Sequence, residues 1–89
     1  MPTISITIIN RLGLHARAAA KFVQTAAAYT CEINVAKGAT RVNGKSIMGL
    51  MMLAASRGSE LNITTNGNDA EPALAALVAL INNKFGESE

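Results

Sequence analysis

Residues 3–8 read TISITI, Thr3 to Ile8. Ile4, Ile6 and Ile8 alternate with Thr3, Ser5 and Thr7. A period of two places the isoleucines on one face of a strand and the hydroxyls on the other. The pattern returns downstream. Cys31, Ile33 and Val35 share one parity, Lys37-Gly38 turns the chain, and Thr40 and Val42 read as a short return strand. Leu61 and Ile63 mark a fourth strand, followed by an Asn66-Gly67 turn. Strands with one apolar and one polar face build a sheet that is covered on one side only.

The segments between the strands supply the cover. Asn10 to Leu14 holds Gly13 and reads as a loop. From Ala16 to about Tyr29, Ala19, Phe22, Val23 and Ala26 fall at helical spacing, which predicts an amphipathic helix. Asn43-Gly44 ends the hairpin. Ser46 to Ala55 then reads as a short apolar helix with Ser46 as its N-cap, closed by Arg57-Gly58, with Leu50, Leu53 and Ala54 facing the core. A last helix starts near Asp69, a favourable N-cap residue. Glu71 suits the positive end of its dipole, and Pro72 falls where its missing N–H has no intrahelical partner. Leu74, Leu77, Val78 and Ile81 follow the i, i+3, i+4, i+7 rule, and Lys84 sits near the end. The order β-α-β-β-α-β-α predicts an α+β two-layer open-faced sandwich, a four-stranded, mostly antiparallel sheet with three helices on one face.

Composition narrows the function. Eighty-nine residues make one domain, residues 1–89. A chain this short buries about 60% of its unfolded surface, so it builds one core with little room for a deep active-site cavity. Hydrophobic residues are 49% and aromatics 3%, so the core is aliphatic. The net charge is +2, with eight basic and six acidic residues scattered along the chain. Nucleic-acid binders cluster their basic residues and add stacking aromatics, so no nucleic-acid partner is expected. Cys31 is the single cysteine and has no internal disulfide partner. The N-terminal MPTISITII lacks the basic stretch of a signal peptide, and no apolar run is long enough to span a membrane. A cytoplasmic, monomeric protein without membrane insertion is the expectation.

His15 is the only histidine and stands where the loop meets the first helix. A helix N-terminus offers unpaired N–H groups and about half a positive charge, a ready site for an anion such as phosphate. A histidine there sets a nucleophilic nitrogen beside those donors, and the dipole favours the neutral ring, the form able to attack. The backbone N–H groups of Ala16 and Arg17 could hold phosphoryl oxygens, and the Arg17 guanidinium adds a charged donor of suitable shape. Gly13 lets the loop approach without side-chain crowding. The plainer alternative is a capping or surface histidine with a solvated arginine nearby. No carboxylate pair suits acid–base work, and one His with one Cys makes no metal site. Neither a metal nor a cofactor is expected.

The stretch GLHARAAAKF, Gly13 to Phe22, resembles the active-site segment of the HPr family, the histidine-containing phosphocarriers of the bacterial phosphoenolpyruvate-dependent phosphotransferase system. The family pattern is Gly-Leu-His-Ala-Arg-Pro-Ala. Gly13, Leu14, His15, Ala16, Arg17 and Ala19 match it, and Ala18 stands where proline is usual. NGKSIMGLMMLAA, Asn43 to Ala55, resembles the second family signature, a regulatory serine opening a short helix. The resemblance covers essentially the whole chain. It implies a carrier, not an enzyme, that takes a phosphoryl group from enzyme I on Nδ1 of His15 and hands it to enzyme IIA-type proteins. It further implies that Arg17 holds the group, that Ile47, Met48 and Met51 belong to the docking surface, and that Ser46 is the target of a serine protein kinase. Alanine is the best helix former, so Ala18 should leave the helix intact.

Gly44-Lys45-Ser46 also invites a nucleotide-binding reading. A P-loop needs a further glycine five residues before Gly44, where this chain has Ala39. As a plain alternative, Ser46 is simply an N-cap, and Ile47, Met48 and Met51 are wedged into the core. Ile47, Met48 and Met51 are nevertheless left over once Leu50 and Leu53 face inward, and methionine suits a surface that adapts to several partners. Two other readings remain: a regulatory family member signalling nitrogen or carbon status without sugar transport, and, more remotely, a small α+β nucleic-acid-binding domain.

Overall fold

A computed structural model describes residues 2–89. Strands β1 (Thr3–Thr7), β2 (Glu32–Lys37), β3 (Thr40–Asn43) and β4 (Glu60–Asn66) form one sheet in the order β1-β4-β2-β3. All neighbours pair antiparallel, with Ile4 opposite Ile63, Val35 opposite Ile63 and Val35 opposite Val42. Helices α1 (Ala16–Ala27), α2 (Ile47–Met52) and α3 (Ala70–Asn82) complete the order β-α-β-β-α-β-α, followed by a 3₁₀ turn at Lys84–Gly86. The open-faced α+β sandwich expected from the alternating strands is the fold.

The alternation decides which face is wet. Ile6, Ile8, Ile33, Val35, Leu61 and Ile63 are buried under the helices. On the other face Ser5 donates to Asn62 Oδ1 at 2.6 Å, and the Thr3 and Thr64 hydroxyls meet at 3.2 Å. Thr65 points inward yet is satisfied, because its hydroxyl donates to the Ala70 carbonyl at 2.8 Å. From the helices come Phe22, Leu50, Leu77 and Ile81, with Phe85 beyond α3, all fully buried.

The element ends depart from the sequence reading where distant contacts act. Helix α1 stops at Ala27, before Tyr29. Helix α2 ends at Met52 and not near Ala55. Ala54 takes a left-handed φ of 50° and is exposed, whereas Ala55 is buried. The cause is tertiary: the Leu14 N–H donates to the Ala55 carbonyl at 2.8 Å, drawing the chain out of the helix to meet the loop before α1. Asp69 occupies the N-cap position of α3 without capping it. Its carboxylate instead accepts from the Thr30 and Cys31 N–H groups at 2.8 and 2.9 Å, bonds that hold it below the usual carboxylate range.

Gly13 fixes the loop that presents His15. Its φ is 69°, and a Cβ there would lie 2.6 Å from the Ala55 carbonyl oxygen. Gly13→Ala is expected to lower stability by about 2 kcal/mol or more, since a left-handed alanine alone costs roughly 1–2 kcal/mol. Thermal denaturation measures the loss.

Candidate functional site

His15 is the N-cap of α1, in extended conformation, and its side chain does not cap the helix. Its carbonyl accepts the first helical bond, from Ala19 N–H at 2.8 Å. The N–H groups of Ala16 and Arg17 in the first turn therefore have neither an intrahelical partner nor a side-chain cap. Arg17 is exposed. His15 and Arg17 line one cavity of about 310 Å³ together with Arg11, Leu12 and the chain end, Glu87 to Glu89.

The sequence offers no carboxylate pair for acid–base work, but a single carboxylate from the chain end reaches His15. The Glu87 carboxylate in fact receives the ring: His15 Nε2 is hydrogen-bonded to Glu87 Oε2, 72 residues away in sequence. Glu87 Oε1 accepts from Asn10 Nδ2 at 2.9 Å, and the same Nδ2 donates to the Gly13 carbonyl at 2.9 Å. Asn10 is fully buried, so the pairing holds loop and tail together in a dry place. Burial pushes the Glu87 carboxyl up, but the hydrogen bonds from Asn10 and His15 outweigh it and hold the group below its ordinary value. An ionised carboxylate only accepts, so Nε2 is the donor in this bond. Nδ1 makes no hydrogen bond among the described residues. Two side chains, Asn10 and Glu87, thus join a site in which His15 and Arg17 were expected. The one signal for them was Phe85, a large apolar residue in a polar tail that only burial would hold down.

Ser46 caps α2, accepting from Gly49 N–H at 3.0 Å. Ile47, Met48 and Met51 are exposed, which answers the wedged-helix alternative, and Met52 and Leu12 extend the same kind of surface, with Met48 at 79% and Met52 at 74% exposure. Leu50 and Leu53 are buried, as expected. A second hollow of about 280 Å³ joins Leu12, Leu14 and His15 to Met51 and the Ala54–Ser56 turn. His15 is therefore flanked by an ionic cavity on one side and an apolar surface on the other. Ser46, Ile47 and Met48 lie outside both hollows. Cys31 is no rival nucleophile, since burial first and the neighbouring Asp69 second push its thiol up.

The family model described as the PTS HPr component phosphorylation site matches residues 2–83. The chain belongs to the HPr family. The phosphocarrier protein HPr of Pseudomonas aeruginosa is 56% identical over 90 residues, covering all of both chains. A crystal structure of HPr from Thermoanaerobacter tengcongensis superimposes with a TM-score of 0.96 at 48% identity, again over both whole chains. A dimeric HPr crystal structure from the same organism superimposes with a TM-score of 0.79 at 49% identity, covering 98% of this chain and 100% of that one. HPr is a phosphocarrier in the phosphotransferase relay and not a catalyst.

Proposed function

We propose that residues 1–89 act as one phosphocarrier domain in which His15 Nδ1 takes a phosphoryl group from enzyme I, itself charged by phosphoenolpyruvate, and passes it to enzyme IIA-type proteins. The observation that carries the reading is the Nδ1 of a partly exposed histidine, without a hydrogen bond among the described residues, beside Arg17 and the uncapped start of α1. A dianionic phosphoryl group needs donors, and the Ala16 and Arg17 N–H groups and the Arg17 guanidinium offer them without any metal. The site is shallow because two successive partners must reach one nitrogen. Ile47, Met48 and Met51, continued toward His15 by Met51, form the docking surface, and Ser46 is the regulatory site for a serine kinase. On this reading the carrier works as a monomer in the cytoplasm, and no helix among the described residues is long and apolar enough to cross a membrane.

Incubation with enzyme I and phosphoenolpyruvate, followed by intact mass and peptide mapping, tests the reading. One phosphoryl group on His15 is expected, and its loss on addition of an IIA protein. Stable phosphorylation elsewhere, or none, overturns it. Arg17→Ala is expected to slow transfer about tenfold, a modest effect because water already screens an exposed guanidinium. Stability should change by no more than about 0.5 kcal/mol, as for other exposed positions. Stopped-flow transfer rates and melting curves of the same preparation check both halves.

A further inference from the structure

The chain end is held against His15 by more than one contact. Phe85 is fully buried, and its carbonyl accepts from Lys21 Nζ at 2.7 Å. Lys84 and Phe85 both take left-handed φ values, 57° and 55°. Such conformations are costly for residues with a Cβ and persist only where the surroundings impose them. Beyond them the Arg11 N–H donates to the Glu89 carbonyl at 2.8 Å. Asn10 commits Nδ2 to Gly13 and Glu87 although its Oδ1 is left buried without a partner among the described residues. Two strained residues and an incompletely satisfied buried amide all serve one placement, that of the Glu87 carboxylate on Nε2.

We propose that Glu87 is a positioning residue for phosphoryl transfer: it holds His15 as the Nε2–H tautomer, so that Nδ1 meets the incoming phosphorus with a free lone pair. The proposal rests on the reading of His15 as acceptor. In the step, the Nδ1 lone pair forms the new N–P bond while the N–P bond of the enzyme I phosphohistidine breaks, its electron pair returning to the donor ring. No proton leaves His15. The positive charge gained by the ring is shared with Nε2–H, which faces the Glu87 carboxylate. Transfer onward runs the same step in reverse. Glu87 touches neither phosphorus nor donor and acts through the ring alone.

The test compares wild type with Glu87→Ala and Glu87→Gln in two measurements: single-turnover transfer from phosphorylated enzyme I, and ¹⁵N NMR of the His15 ring. Glu87→Ala is expected to lower the transfer rate at saturation about tenfold, at the lower end for loss of a partner that orients a reactive ring, with the half-saturating concentration within about twofold. The ring nitrogens should move from the Nε2–H signature toward a mixture. Glu87→Gln keeps an acceptor oxygen without the charge, so its rate should fall between the two. It also answers the question if Glu87→Ala fails to fold. An unchanged rate, an unchanged tautomer in a slowed variant, or a change in half-saturation alone overturns the proposal. If wild-type His15 takes up no phosphoryl group, the carrier reading fails instead. The NMR arm still reports whether Glu87 sets the tautomer.

Discussion

His15→Ala is expected to abolish phosphoryl acceptance while the protein stays folded. Only one imidazole ring in the chain can carry the group, because His15 is the single histidine. Neither Cys31, buried with its thiol pushed up, nor Ser46, whose hydroxyl is engaged in capping, is a substitute. The fold loses little. The His15 side chain caps nothing, its backbone carbonyl still accepts from Ala19, and Glu87 keeps its bond to Asn10. A loss within about 1 kcal/mol is expected, the scale of one partly exposed hydrogen bond. Intact mass after incubation with enzyme I and phosphoenolpyruvate checks the first half, and a melting curve the second. The wild-type adduct should be lost in acid and survive alkali, as a phosphoramidate does. Enzyme I-dependent phosphorylation of the variant, or an acid-stable adduct on wild type, would remove His15 from its role.

Much of this was legible because it is local. Ile4, Ile6 and Ile8 announce a one-sided strand by periodicity alone, and Phe22 and Ala26 set the buried stripe of α1. His15 and Arg17 could be read as a pair because both sit at one helix start, where backbone physics supplies the reason for them. What was hidden depends on contacts made across the chain. Nothing near Ala54 shows that the Leu14 N–H will claim the Ala55 carbonyl and end α2 early. Asp69 has the composition of an N-cap, yet two N–H groups at Thr30 and Cys31 outcompete its own helix for the carboxylate. Glu87 reads as an ordinary acidic tail residue until Phe85 is seen to anchor the segment and Asn10 to receive it. Local pattern predicts which elements form. The partners of their ends, and with them half of the site around His15, are set by tertiary closure.

Ser46→Asp should leave stability unchanged or slightly raised and weaken the reaction with enzyme I by about a hundredfold in apparent affinity, on the docking role proposed for the surface beside it. Ser46 already accepts from Gly49 N–H, and aspartate is as good an N-cap as serine, so the substitution keeps that bond. Helix α2 has only six residues, so its dipole adds less than the roughly 0.3–1 kcal/mol of a longer helix. Unfolding is therefore the wrong expectation for a negative charge here. The charge would instead lie next to Ile47, Met48 and Met51, all exposed. The nearest lysine in sequence, Lys45, donates its ammonium to the Tyr29 carbonyl at 2.6 Å, so it is already engaged. A partner covering this apolar surface must strip water from an uncompensated carboxylate, at a cost of several kcal/mol even after relaxation. About 2.7 kcal/mol of it suffices for a hundredfold. A phosphate on Ser46 carries about −1.5 to −2 charges and should weaken docking further. The comparison needs melting curves and the concentration dependence of enzyme I transfer for wild type, Ser46→Asp and Ser46→Asn. The asparagine variant keeps the cap without the charge and should dock as wild type does. If Ser46→Asp melts far earlier, or reacts as wild type does, charge at this helix start does not control docking, and Ser46 is a structural cap alone.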